Sequence, residues 1–127
     1  MEKQITSGLK YTFLIHGIMM SIFALIYLLV PVLWGDLTGC LSNQLPQVFR
    51  MFGTAILGYA VSSFLAFRET LWEKVKIVAR MECIITILFP VIILMGLLFW
   101  DLPDIAWMYF AVLSGFGIAF NFFCFKQ

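Results

Sequence analysis

The residues able to do chemistry in this chain are few, and each lies inside or at the edge of a long apolar run. His16 lies within the uncharged stretch 11–35, Glu82 immediately precedes 83–100, Asn121 lies within 105–125, and Arg50 immediately precedes 51–67. An ionisable group at such a depth is costly unless a partner or an aqueous pocket receives it. His16 is roughly two turns from the start of its run, and Asn121 about one turn from the end of its own. Glu82 opens the third run on the same side. The three are therefore expected to converge as a polar cluster in one half of the structure. A structural role is the simplest reading of that cluster, and an imidazole beside a carboxylate can also relay protons or hold a ligand. The helix N-terminus expected near Glu82 would favour its negative charge.

Arg50 poses the opposite problem. A cation at the start of a helix faces the positive end of the helix dipole. Its neighbours three and four residues away are Pro46, Gln47, Gly53 and Thr54, none of them a carboxylate. The expected partner is Asp36, Asp101 or Asp104 from the adjoining loops, a lipid phosphate, or an anionic ligand. A salt bridge or a headgroup contact is the first expectation.

Support for catalysis is thin. The chain has no HExxH, no glycine-rich phosphate loop and no CxxC. A single histidine does not make a closed metal site, so no metal centre is expected and no cofactor is specified. Haem ligation through His16, or acid–base chemistry by His16 with Glu82, is the minor reading. Cys40, Cys83 and Cys124 have neither ligand spacing nor an even count, so a disulfide framework is not expected.

The elements that must position these residues follow from the four apolar runs themselves. At about 1.5 Å per residue, each is long enough to cross a hydrocarbon core roughly 30 Å thick. Within lipid every backbone N–H and C=O must be paired inside its own segment, which dictates helix. The composition agrees: 63% hydrophobic and 12% charged residues, with a mean hydropathy of +1.02, far from the quarter or so of charged residues in soluble domains. The reading is an all-α integral membrane protein, a single transmembrane domain with spans at about 9–33, 47–67, 77–100 and 104–125. Its short connections favour an up-down-up-down four-helix bundle.

Charge sets the expected orientation. Lys3, Lys10, Arg68, Lys74, Lys76, Arg80 and Lys126 fall on one side, and only Arg50 on the other, beside Asp36, Asp101 and Asp104. The positive-inside rule then places both termini in the cytoplasm, with the protein multi-pass in the plasma (inner) membrane. Trp34, Trp100 and Trp107 would mark the outer interface, and Tyr11 and Trp72 the inner one. No signal peptide is expected, and the first span is read as an uncleaved helix. The inner charged loop, with Arg68, Glu69, Glu73, Lys74 and Lys76, reads as a solvated topology determinant that can also touch anionic lipid. Pro31 should help end the first span, and Pro90 should kink the third. The first outer loop, rich in turn formers (Gly35, Asp36, Gly39, Ser42, Asn43, Pro46), could form a small cap.

Two stripes of small residues recur at four-residue spacing: Thr54, Gly58 and Ser62, then Ala111, Gly115 and Ala119. Such stripes let helix backbones approach closely, and the first expectation is an intramolecular contact, with a homo-oligomer seam as the alternative. The two halves also share Met51/Met108, Phe52/Tyr109 and Gly58/Gly115 at one constant offset, a faint sign of two repeated hairpins.

Through its four short spans, and Arg50-x-x-Gly53 followed by Gly58, the chain resembles the DoxX-like and related small four-span prokaryotic membrane proteins. That resemblance implies a four-helix membrane fold and, for some relatives, association with redox complexes. It carries over no functional residue, and this chain has no redox motif and a longer, more polar first outer loop. Three functions stay open. The first is binding of a lipid, quinone or other hydrophobic small molecule, or service as an accessory subunit of a membrane complex. The second is a small oligomeric transporter or channel. The third is an intramembrane enzyme using His16 and Glu82. The expected partners are the bilayer and a homo-oligomer or larger membrane complex; nucleic acid is not expected.

Overall fold

A computed structural model of the chain describes residues 3–39 and 46–127. Cys40 and two of the residues named for the first outer loop, Ser42 and Asn43, lie outside them. The described residues form five helices: α1 (Ser7–Leu29), α2 (Pro31–Thr38), α3 (Pro46–Arg68), α4 (Trp72–Phe99) and α5 (Ile105–Phe125). All but α2 are long and apolar enough to cross a membrane.

Helix boundaries follow local chemistry. α1 ends at Leu29 because Pro31 disfavours helical backbone at the residue before it, and Val30 takes φ −130°, ψ 45°. The same proline then opens α2 from the first helical turn, where its missing N–H costs nothing. α4 starts at Trp72, earlier than the expected 77, because the helix continues through the charged segment before the apolar run begins. Glu82 consequently lies well inside α4 and not at its N-terminus. The dipole effect fades within the first turn, so it gives this carboxylate no help. Helix α4 runs on through Pro90, which is buried.

Both termini and the α3–α4 connection share one end of the molecule. Gln4 pairs with Leu71 in a single antiparallel bridge, and the Gln127 side chain accepts from the Thr6 N–H at 2.8 Å and donates to the Gln4 carbonyl. At this terminal end a core of Ile5, Leu9, Phe13, Ala66, Val75, Ala79 and Phe120 joins α1, α3, α4 and α5. Phe13 and Phe120 meet edge to face, with centroids 5.2 Å apart.

Beyond that core the bundle divides. α1 packs chiefly on α3 and α4 chiefly on α5, whereas α3 and α4 scarcely touch. Short connections were expected to make sequential helices antiparallel neighbours; the second and third spans are held together at the loop and part along their length.

Close approach is made by other glycines than those of the two stripes. Gly53 sits against Ala24, Tyr27 and Leu28 of α1, and Gly117 sits against the Thr86 backbone of α4. Gly58 and Gly115 face open space, with nothing within 4 Å of an added Cβ. Thr54 and Ala111 are exposed and Ser62 and Ala119 half-buried, and the α5 stripe borders a shallow groove shared with Thr12 and Ile15 of α1. Neither stripe glycine makes the close backbone approach expected of it. Phe52 and Tyr109, matched across the two hairpins, both line the same interior space.

Candidate functional site

The space between the diverging hairpins is a cavity of about 710 Å³. Pockets of about 300–1,000 Å³ hold drug-sized molecules. Its floor is polar. His16 of α1 and Glu82 of α4 are both buried, with His16 Nε2 3.8 Å from Glu82 Oε2. That separation exceeds a direct hydrogen bond. The other ring nitrogen, Nδ1, is 2.8 Å from Ser63 Oγ of α3. Rings of Phe116 and Phe120 meet the imidazole edge-on at 4.9 and 5.3 Å. The imidazole is therefore fixed from three sides, and its free edge looks toward Glu82.

Glu82 is less well provided for. It is 1% exposed, and its Oε1 has no hydrogen-bond partner among the described residues. Thr86, one turn on, turns its hydroxyl back to the Glu82 carbonyl instead of the carboxylate. Asn121 also passes it by, donating to the carbonyls of Gly117 at 2.8 Å and Cys83 at 3.4 Å. The expected triad thus resolves into a His16–Glu82 pair with Ser63, while Asn121 ties α5 to α4 beside it.

The walls are apolar and aromatic. Phe23 and Tyr27 of α1, Phe49, Phe52 and Tyr59 of α3, Phe89 of α4 and Tyr109 of α5 face the space, with Ile56, Ile85 and Leu113 between them. Lining residues on α4 run from Glu82 to Ile93, roughly 16 Å of helix. Phe52, Phe89 and Ile92 line the cavity and are exposed as well, so it opens sideways between α3 and α4. At the far end Tyr27 donates to Tyr109 at 3.1 Å, and the Trp34 indole donates to the same Tyr109 oxygen at 3.0 Å. Gly39, Asp101 and Pro103 complete that end. Asp101 takes φ +48°, a left-handed conformation that aspartate tolerates better than most residues.

The remaining sequence candidates lie elsewhere. Arg50 is exposed and donates to Gln47 Oε1 at 3.3 Å, one turn back on its own helix. Among the described residues it makes no ion pair with Asp36, Asp101 or Asp104, so of the partners expected for it the three aspartates are not the ones it meets. Asp36 and Asp104 are exposed. Replacing Arg50 with alanine is accordingly expected to change thermal stability by less than about 0.5 kcal/mol, as for other surface sites. A larger loss in detergent-solubilised protein would show that the guanidinium has a stronger partner. Cys83 and Cys124 are free, half-buried thiols. The described residues bring together no group of three metal-ligating side chains.

Sequence reasoning missed Ser63, Tyr27 and Tyr109. The signal for Ser63 was present, because it lies one residue from Ser62 at the depth that His16 requires. Comparison with protein-family models, curated proteins and solved structures gives no match.

Proposed function

We propose that this chain is a multi-pass protein of the plasma (inner) membrane, its termini cytoplasmic and its spans up-down-up-down, that binds a hydrophobic small molecule between α3 and α4. The observation that carries this reading is the cavity itself: 710 Å³, aromatic-walled, open sideways between α3 and α4, with a buried polar floor. A molecule dissolved in the bilayer could reach it laterally, its polar group passing to His16 and Glu82 and its apolar body resting on the rings. From Ile85 to Ile93 the wall is apolar except for Thr86, whose hydroxyl is bonded back to the Glu82 carbonyl, and this supports a binding site better than a continuous polar path. The four-span layout, with Gly53 of the Arg50-x-x-Gly53 segment packed on α1, is consistent with a relation to the DoxX-like proteins.

Native mass spectrometry of the full chain in mild detergent is the direct check. The expected spectrum shows one small lipophilic molecule retained per chain, released on replacing Ile56 by tryptophan, which fills the cavity from α3. Adducts identical in the two proteins would place the retained molecule on the outer surface instead.

A further inference from the structure

The chemistry of the cavity wall says more than that its ligand is apolar. Two of its lining residues are carboxylates, Glu82 at the floor and Asp101 at the far end, and none is a lysine or arginine. Glu82 is buried, and among the described residues its Oε1 has no partner. From α1 it faces His16, whose Nε2 is too distant for a hydrogen bond. From its own helix it faces the backbone-bonded Thr86, and from α5 the nearby Asn121 is committed to carbonyls. The ion pairs of nearby lysines are Lys74 with Glu69 and Lys76 with Glu73, both outside the cavity.

A carboxylate oxygen in such surroundings is a vacant position for a donor, and a charged donor satisfies it about twice as well as a neutral one. The walls favour the same partner. Seven aromatic rings line the space, and the faces of such rings attract cations, more strongly once water is excluded. An anionic head would meet two carboxylates and no compensating cation.

Resting on the proposed binding role, we infer that the molecule taken up is a lipophilic cation, an amine or onium group on an apolar body, with Glu82 as its counter-ion. The cationic centre sits at the Glu82 end of the cavity, within charge range of its carboxylate, and Tyr59 and the phenylalanines surround the apolar part. Asp101 adds a weaker, longer-range attraction at the far end of the cavity.

The test uses two ions of nearly the same shape and opposite charge. Tetraphenylphosphonium and tetraphenylborate are titrated by equilibrium dialysis against the purified full chain in a non-ionic detergent. Saturable binding of the phosphonium at one per chain is expected, with no saturable binding of the borate. Glu82→Gln should weaken the phosphonium by at least about tenfold, because this cation carries no hydrogen-bond donor and is held at Glu82 by charge attraction alone. Asp101→Asn, which keeps a residue tolerant of the left-handed turn, should weaken it only two- to threefold, as a more distant charge would. Circular dichroism confirms that each variant is helical, and Tyr59→Leu gives a second route by removing a ring without touching the carboxylate; it too should weaken binding. Equal binding of both ions, or a phosphonium affinity unchanged in Glu82→Gln, overturns the cationic assignment while leaving the cavity reading intact. If neither ion saturates and Ile56→Trp leaves every retained adduct unchanged, both fail together.

Discussion

Gly117→Ala is expected to destabilise the protein by about 1–3 kcal/mol, the usual cost of forcing an atom into a filled contact. An added Cβ at Gly117 would come 2.6 Å from the Thr86 carbonyl oxygen and 3.3 Å from its carbon. Both are backbone atoms, so no rotamer change relieves the clash, and α5 must move away from α4. The contact has a local origin. Thr86 lies four residues before Pro90, whose nitrogen carries no hydrogen to donate to that carbonyl. Glycine lets α5 approach at that carbonyl, and one turn later Asn121 fastens the same seam by donating to the Cys83 carbonyl of α4 at 3.4 Å. Among lipid-facing helices the hydrophobic term largely cancels, because lipid is as apolar as the partner helix, and close packing then decides the association. Gly58→Ala and Gly115→Ala meet open space inside their helices and should not destabilise the protein, each gaining about 0.4–1 kcal/mol from the reduced freedom of the unfolded chain. Unfolding in mixed micelles followed by circular dichroism would rank the three, and equal losses at all three positions would contradict this packing.

Glu82→Met is expected to raise stability by about 1–3 kcal/mol while abolishing the retention of ligand. A buried polar atom without a partner costs the folded state its desolvation, and replacing it by an apolar group of similar length removes that cost. His16 is 3.8 Å from the carboxylate, beyond hydrogen-bond reach, and is bonded to Ser63 instead, so it keeps its anchor when Glu82 is gone. A structural glutamate behaves the other way: its removal would lower stability, because a satisfied network would be broken. The sign of the change, read from the unfolding midpoint in the absence of ligand, separates the two roles. A fall in stability for Glu82→Met would mean that this carboxylate serves the fold.

What could be read from the sequence follows physical necessity. Four spans were legible because lipid leaves the backbone no alternative to helix. The meeting of His16 with Glu82 was legible too, since ionisable groups in spans need partners and depth can be counted along each helix. The facing of the small-residue stripes was not. Each residue turns a helix by about 100°, so Gly117 and Gly115 look in nearly opposite directions although only two positions apart. A four-residue period shows that a face exists and leaves open which neighbour it meets. Ser62 and Ser63 pose the same ambiguity, and the serine that meets His16 is the one off the stripe. The cavity had no local signature at all. Its aromatic rings come from four helices, and only the separation of α3 from α4 assembles them.

The central claim, a ligand site between α3 and α4 floored by His16 and Glu82, is tested most directly by native mass spectrometry of the parent chain beside Ile56→Trp. The account predicts one small lipophilic molecule per parent chain, and a bare mass for the variant with its helical content unchanged. The same adduct on both, or none on the parent purified directly from membranes, would contradict it.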